Sequence, residues 1–238
     1  RYLTKLLAQC EQVFTSIGDA IVPLAPDLGL IAVLTKIKIK EISLNLPLLP
    51  KLEPLEVNEI DINTGTGPVS IRQLYKNIRI YGITDANLTT YNADLKNYRI
   101  ITDSYNDKVE FTADYVMDGR ILLIPLAGKG RCNITMKNLV IKHDLIGEPV
   151  TKNGKIYMKL KDYKVKFITN SVSFYFANLF NGNKALGEQM NRFMNENYEK
   201  IVFQELKGSY EKSFSIIFKD ITNKIFTKVP FDDIFPTN

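Results

Sequence analysis

The chain has 238 residues, 45% of them hydrophobic, and its 31 basic and 26 acidic residues leave a net charge of +5. This length suits one large domain. The near balance of charges does not indicate a nucleic-acid-binding protein, although it weakly favours acidic partners or anionic surfaces. No run of about 18 uncharged apolar residues is present, so the sequence predicts no membrane span and no stable membrane insertion.

The amino-terminal region is predicted to form a helix followed by a strand. Residues 3–22 repeat apolar side chains every three or four positions, which is typical of an amphipathic helix, and this helix should end near Pro23. Residues 35–46 alternate polar residues, three of them Lys, with Ile or Leu, which is typical of a half-buried strand. Three prolines at positions 47, 50 and 54 then favour an extended connection.

Short alternating segments between Asn, Asp and Gly turns recur from about residue 57 to residue 176, which indicates a meandering antiparallel sheet. Gly147-Glu148-Pro149 and Asn153-Gly154 are predicted turns. The predicted strands lie at residues 69–83, 86–102, 108–117, 121–126, 131–142, 155–161 and 163–176.

Residues 111–136 are predicted to form a hairpin with a large apolar face. Its first strand alternates with a period of two, as expected when one face of a strand is turned toward an interior. Asp118-Gly119 is the predicted tight turn. Pro125 lacks an N–H and is expected at an edge or bulge, and Gly128 and Gly130 are expected to allow a sharp bend. The apolar face consists of Phe111, Ala113, Tyr115 and Met117.

The apolar period becomes helical after Asn183, so residues 183–230 are predicted to form a helical segment. Its longer helix is predicted over residues 197–229 and should stop at Pro230. At 1.5 Å per residue such a helix is roughly 50 Å long, and it needs an elongated partner surface such as a curved sheet.

Four motifs follow one another in the middle of the chain: Asp-Tyr-x-x-Asp-Gly at 114–119, a strand that ends in Pro125, Gly-x-Gly at 128–130, and Asn-Ile-Thr-Met at 133–136. In this order they resemble the insect takeout and juvenile hormone binding protein family. The resemblance extends over most of the chain, with further similar segments at residues 52–60, 191–198, 223–226 and 229–236.

The resemblance implies a secreted, extracellular protein of haemolymph or a similar fluid. It also implies an α+β fold in which a curved antiparallel sheet wraps around a long carboxy-terminal helix, with an apolar tunnel for a lipophilic small molecule. Residues 1–238 are expected to form one elongated domain of this kind. The helix and strand of residues 1–50 are atypical of the family, and residues 31–50 read either as a lineage-specific strand or as a mis-assembled coding region.

Catalytic chemistry is not indicated by the residues. The chain has a single histidine, His143, which is interpreted as a surface histidine on a strand. Cys10 and Cys132 could form a disulfide or remain free, and with one histidine they cannot supply the four ligands of a structural zinc site. We therefore expect no enzyme activity, no cofactor and no metal.

Lysines alternate with apolar residues over residues 155–167, interleaved with aromatic side chains, a pattern that superficially suits single-stranded nucleic acid. The solvent face of an amphipathic strand explains the pattern better, so no nucleic-acid partner is expected. Two glycosylation sequons, at Asn87 and Asn133, fit an extracellular protein.

The predicted function is that of a monomeric, non-enzymatic carrier of one lipophilic molecule, such as a juvenile hormone, a fatty acid or a similar long apolar ligand. Two alternatives remain: a surface-acting lipid-binding protein that docks on anionic membranes through its lysines, and a structural protein with a filled interior. Tyr115 or Tyr198 is predicted to hydrogen-bond a carbonyl or carboxylate of the ligand. The predicted lining consists of Phe111, Tyr115, Met117, Leu123, Met136, Phe174, Phe176, Met190, Phe193, Met194, Tyr198 and Phe214.

Overall fold

Two long paired strands organise the sheet in the computed structural model, which describes residues 52–63, 67–197 and 203–235. They are β4 (Arg99–Ile121) and β5 (Ile124–Lys152), and they pair without interruption from their shared hairpin turn to the Arg99–Ile146 pair, apart from irregular positions near Asn138. At about 3.3 Å per residue, β4 alone follows a path of about 75 Å. A strand pair of this length gives the molecule its elongated shape.

The other strands attach to the two outer edges of this hairpin, and within the described residues the sheet has seven antiparallel strands in the order β1-β2-β4-β5-β6. β3 pairs with the first part of β4, and β7 pairs with the middle of β5. Their bounds are β1 Leu55–Asn63, β2 Val69–Tyr81, β3 Asn87–Asp94, β6 Lys155–Ile168 and β7 Ser171–Phe176.

Three helices follow the sheet in the described part of the chain: α1 (Lys184–Glu196), α2 (Phe203–Phe226) and the single turn α3 (Phe231–Ile234). The curved sheet curls around α2, and the apolar core lies between the two. The predicted α+β class, a curved antiparallel sheet with a long helix in a single domain, is thereby confirmed.

Side chains of α1 hydrogen-bond to the free edge of β7. Asn195 accepts from the Phe174 N–H at 2.7 Å and donates to the Phe174 carbonyl at 2.9 Å, and Asn191 repeats both contacts with Phe176 at 2.8 and 2.9 Å. Because Asn191 and Asn195 are four residues apart, they share one face of the helix. The two amides therefore take the place of a neighbouring strand.

Side chains of α2 cover the edge of β6 in a similar way. Asn223 accepts from the Leu160 N–H at 2.7 Å, and Glu211 accepts from the Phe167 N–H at 2.8 Å. These contacts satisfy backbone donors that a sheet edge would otherwise leave unpaired. They also fix the height of α2 above the sheet, and this position determines the space that remains between the helix and the sheet.

The hairpin turn lies later in the chain than predicted. β4 continues through Asp118 and Gly119, and the turn is formed by Leu122 and Leu123. Gly119 has φ of 144°, and a Cβ at this position would collide with the backbone of Ser70 on β2. The glycine therefore serves a close approach between strands, and the prediction of a turn at Asp118-Gly119 is wrong.

The predicted breaks within β5 are also wrong. Gly128 and Gly130 remain in register with β4, and added Cβ atoms would meet the crossing segment at Ala177 and Leu179, so these glycines allow a close crossing. Gly147 lies at a register shift between β5 and β6, where the strand continues through a bulge. The predicted turn at Asn153-Gly154 is confirmed. The predicted edge position of Pro125 is also confirmed, because Pro125 pairs with β4 on one side and the pairing of β5 with β6 and β7 does not extend to it.

The long helix ends earlier than predicted, because α2 stops at Phe226, four residues before Pro230. The 24 residues of α2 that the structure describes span about 36 Å. The segment predicted as one strand over residues 86–102 is divided by a 3-10 turn at Leu95–Asn97, which separates β3 from β4. The helix predicted at residues 3–22 and the strand predicted at residues 35–46 lie outside the described residues.

Candidate functional site

A small apolar cavity lies between the inner face of the sheet and α2. Its volume is about 50 Å³, and side chains from β4, β5, β6, β7 and α2 line it. The lining consists of Phe111, Ile134, Met136, Phe167, Val172, Phe174, Phe203, Leu206, Lys207, Tyr210 and Phe214. Ligand pockets usually begin at roughly 300 Å³, so a long ligand would require α2 to move away from the sheet or the side chains to rearrange.

Aromatic rings form much of the cavity wall. Phe167 of β6 meets Phe214 of α2 edge to face, with ring centroids 5.4 Å apart, and Phe214 continues to Phe218 at 5.7 Å. Such contacts add about 0.5–1.5 kcal/mol per pair beyond the burial of area. The wall contributed by β6 and α2 is therefore the tightly packed side.

Four of the predicted lining residues meet at this cavity: Phe111, Met136, Phe174 and Phe214. The residues that the prediction missed follow simple patterns. Ile134 shares a strand face with Met136, and the contributions of α2 recur at helical spacing. Those missed on α2 are Phe203, Leu206, Lys207 and Tyr210.

The other predicted lining residues lie elsewhere. Met117, Phe176, Met190 and Met194 are buried in the core, and Phe193 is half-buried against it, but none of them borders the 50 Å³ cavity. Tyr198 lies outside the described residues.

Leu123 was predicted to face inward, and this is wrong. Its side chain is 92% exposed because it occupies the hairpin turn itself. Leu122 and Ile124, on either side of it, are also exposed, at 40% and 42%. Consecutive exposed aliphatic residues at a loop tip often mark an interaction surface.

Tyr115 is buried on the inner face of β4, where it packs edge to face on Phe176 at 5.0 Å. Its hydroxyl donates to the Ala177 carbonyl at 2.6 Å, and burial raises its pKa. The Tyr115 proton is therefore already engaged in the fold.

Cys132 lies on β5, opposite Ala113 of β4, and has a free, buried thiol. Burial raises the pKa of this thiol to about 12.

Next to the cavity lies a group of polar side chains that we call the amide cluster: the buried Gln73 and Tyr75, and the half-buried Tyr210. The hydroxyls of Tyr75 and Tyr210 donate to the Gln73 carbonyl oxygen at 2.5 and 2.8 Å, and the two hydroxyl oxygens lie 2.7 Å apart. Burial is the largest cause of the raised pKa values of both tyrosines, so both are neutral donors.

A second group, Ser104, His143 and Tyr163, is called the imidazole cluster. His143 Nε2 lies 3.1 Å from the Ser104 hydroxyl, and Nδ1 lies 2.9 Å from the Tyr163 hydroxyl. His143 is only 7% exposed, so its interpretation as a surface histidine is wrong. Burial lowers its pKa from 6.5 to about 4, an effect that Asp103 partly opposes, and the imidazole is neutral at pH 7.

The imidazole cluster contains a hydroxyl, an imidazole and a phenol, as some hydrolases do. It is packed against Phe218, with 6.0 Å between the ring centroids of His143 and Phe218, and its residues do not line the cavity. Within residues 52–63, 67–197 and 203–235 there is also no group of three or more His, Cys, Asp or Glu that could hold a metal ion.

Lysines of β6 lie on the solvent face of the sheet, as predicted. Lys159, Lys161, Lys164 and Lys166 are exposed, whereas Tyr163 between them is buried. Two of these lysines pair with exposed carboxylates of the same face. The alternation of lysine with aromatic residues is therefore that of an amphipathic strand.

Known proteins match most of the chain. Residues 42–236 match the family model described as haemolymph juvenile hormone binding protein (JHBP). Relatives named circadian clock-controlled protein daywake, from Drosophila yakuba and Drosophila melanogaster, are 24% and 23% identical over 192 residues, 77% of this chain and 74% of each relative. The crystal structure of Epiphyas postvittana Takeout 1 superimposes with a TM-score of 0.66 and 27% identity, covering 76% of this chain and 82% of that one.

Proposed function

Because the chain belongs to the haemolymph juvenile hormone binding protein family, we propose that it is a secreted, non-enzymatic carrier of one lipophilic small molecule. The family match confirms the resemblance drawn from the sequence. The proposed ligand class is a juvenile hormone, a fatty acid or another long apolar molecule. The proposed unit is a monomer formed by residues 1–238.

One observation carries this proposal: the only charged or polar side chains that line the described cavity are Lys207 and Tyr210. Lys207 is already engaged, because its ammonium lies 3.7 Å from Glu211 and 5.4 Å from the Phe203 ring centroid. The remaining lining is apolar, and each buried CH₂ of a ligand contributes about 0.8 kcal/mol there. An apolar chain therefore suits this space better than a polar metabolite.

The carrier function requires the cavity to widen. We propose that a ligand separates the inner face of β7 from α2, where Val172 and Phe174 face Leu206 and Phe214 across the cavity. The contacts of Glu211 and Asn223 with β6 hold the other side of α2 in place. Widening would then extend the cavity along the helix.

Native mass spectrometry of the purified protein, with organic extraction of co-purifying molecules, is the first test. A lipophilic molecule at one per chain is expected. The protein should also bind an added juvenile hormone or long-chain fatty acid. A mass that stays unchanged after incubation with both would contradict the carrier and favour the filled, structural interior.

A pair of variants locates the binding. Val172→Phe fills the cavity and is expected to weaken binding at least tenfold. Val116→Phe makes the same change on the outer face of β4, where the valine is 52% exposed, and should leave affinity unchanged. Equal affinities of the two variants would place the ligand elsewhere.

Docking on anionic membranes remains a second candidate, favoured by the exposed Leu122–Ile124 tip. No described helix is long and apolar enough to span a bilayer. If the surface lysines attract the protein to anionic headgroups and the tip enters the bilayer surface, the protein should pellet with phosphatidylserine vesicles in a salt-sensitive way. Leu123→Ser should abolish pelleting, and Val116→Ser should not. Pelleting that neither variant alters would exclude the tip.

A further inference from the structure

Gln73 interrupts the apolar row that β2 turns toward the interior. Val69, Ile71 and Tyr75 occupy the same face and are buried, and Gln73 among them is 1% exposed. An amide in such a place is costly unless both its oxygen and its nitrogen are hydrogen-bonded. The hydrogen bonds of Gln73 therefore reveal whether the fold alone explains the residue.

The oxygen side of the amide has more contacts than protons. Gln73 Oε1, Tyr75 Oη and Tyr210 Oη form a triangle with sides of 2.5, 2.7 and 2.8 Å. A tyrosine hydroxyl has one proton, so two protons serve three oxygen–oxygen contacts. This side of the cluster needs no further acceptor.

The nitrogen side has protons without acceptors. Gln73 Nε2 is buried and has no hydrogen-bond partner among the residues that the structure describes. Exchanging the amide oxygen and nitrogen would let Nε2 donate to both tyrosine oxygens, but one tyrosine proton and the Gln73 oxygen would then be unpaired. In both orientations the amide cluster has a donor to offer.

The amide cluster adjoins the apolar cavity. Tyr210 lines the cavity, and Phe111, another lining residue, packs edge to face on Tyr75 at 5.2 Å. Lys207 lies one turn before Tyr210 on α2 and is paired with Glu211. The groups at this end of the cavity are therefore neutral donors, with no free cation nearby among the lining residues.

We propose that the amide cluster is the polar anchor of the ligand, and that Gln73 donates a hydrogen bond to an uncharged acceptor oxygen such as an ester or ketone carbonyl. This inference rests on the proposed carrier function. A carboxylate is a poorer occupant, because it would bury a negative charge without a counter-charge. In the bound state the carbonyl end of the ligand lies next to Tyr210, and its apolar chain extends along α2.

The test compares two probes of similar length, methyl nonanoate and decane, in competition with a fluorescent apolar dye. In Gln73→Met the affinity for methyl nonanoate should fall about five- to tenfold, whereas the affinity for decane should change less than twofold. The affinity of each probe is compared between the wild type and the variant, so the difference in water solubility between the two probes cancels. Nonanoate at pH 8 should bind more weakly than its methyl ester and should be insensitive to the substitution.

Two further variants keep the test decisive. Tyr210→Phe should also weaken the ester selectively, and it provides the test if Gln73→Met does not fold. Phe174→Leu changes the apolar wall and should weaken ester and decane equally. Thermal unfolding of each variant checks that the fold is intact.

The outcomes separate the two proposals. If neither decane nor the ester displaces the dye from the wild-type protein, the carrier function fails. If both bind and the Gln73 and Tyr210 substitutions change both affinities equally or not at all, the carrier remains and the anchor is overturned.

Discussion

The amide cluster joins β2 to α2, and the imidazole cluster joins the strands β4, β5 and β6. Both contain tyrosine hydroxyls packed against the core, but they differ in how completely they are hydrogen-bonded. Both ring nitrogens of His143 have a partner, since a neutral imidazole donates from one nitrogen and accepts at the other. In the amide cluster Gln73 Nε2 has none among the described residues.

This difference separates a structural role from a binding role. An unmatched buried donor costs about 1–3 kcal/mol, whereas a matched network stabilises one arrangement of the core. The matched cluster lies away from the cavity, and the unmatched one lies beside it. We expect substitutions to reveal the same division: large losses of stability in the imidazole cluster and small ones in the amide cluster.

The largest expected effect is a loss of stability at acidic pH caused by His143. Burial lowers its folded pKa to about 4, against 6.5 for the unfolded side chain. Between these values the unfolded state binds more protons, so the free energy of unfolding falls as the pH drops below 6.5. By pH 5 the loss attributable to His143 is about 2 kcal/mol.

Urea unfolding at pH 7.5, 6 and 5 measures this loss, and His143→Gln is the matched control. The glutamine keeps a donor and an acceptor but does not titrate, so its stability should change little over this range. Asp103, the charged neighbour of His143, pairs with Lys142 at 3.0 Å and is left unchanged by the substitution. Parallel pH profiles for the two proteins would contradict the assignment.

A somewhat smaller loss is expected when the phenol of the imidazole cluster is removed. Tyr163→Phe keeps the ring contact with Phe218 but leaves His143 Nδ1 without its partner. The expected loss is about 1–2 kcal/mol at pH 7.5. A loss below about 0.5 kcal/mol in urea unfolding would show that the hydrogen bond adds little to stability.

The same truncation in the amide cluster should cost less. In Tyr210→Phe the crowded triangle loses the two contacts of the Tyr210 hydroxyl, but the Gln73 oxygen still accepts from Tyr75. The expected loss is below about 1 kcal/mol, and smaller than that of Tyr163→Phe measured in the same experiment. If Tyr210→Phe costs more, the comparison between the clusters is reversed.

The sequence predicted the inner faces of regular elements well. The alternation of Phe111, Tyr115 and Met117 on β4 is seen in the structure, and so is the helical stripe through Phe214. Burial of apolar area dictates these patterns, and a period of two or 3.6 exposes it directly in the sequence.

Local turn signals misled the prediction where long-range pairing dominates. Asp118-Gly119 is a favourable hairpin turn by itself, but the pairing of β4 with both β2 and β5 extends beyond it. The turn therefore falls at Leu122, a non-glycine residue with φ of 55°. Sequence periodicity could not show how close β2 comes to Gly119.

Both polar clusters could have been located from the sequence by strand phase. His143 shares a face with Ile141 and Leu145, and Gln73 shares one with Ile71. A polar residue in phase with buried neighbours faces the core as they do. The hydrogen-bond partners could not be predicted in this way, because Tyr210 reaches Gln73 from a helix 137 positions away in the sequence.

Gln73→Met should have the smallest effect on the ligand-free protein and sharpens the comparison most. It removes the unpaired N–H together with the oxygen, and the hydroxyls of Tyr75 and Tyr210, 2.7 Å apart, can still bond to each other. The free energy of unfolding should stay within about 1 kcal/mol of the wild type. A loss above about 2 kcal/mol would mean that the amide stabilises the fold as His143 does. An anchor contributes to ligand binding and not to stability. Only a binding role therefore predicts both results together: a small change in the free energy of unfolding and a selective loss of affinity for the ester.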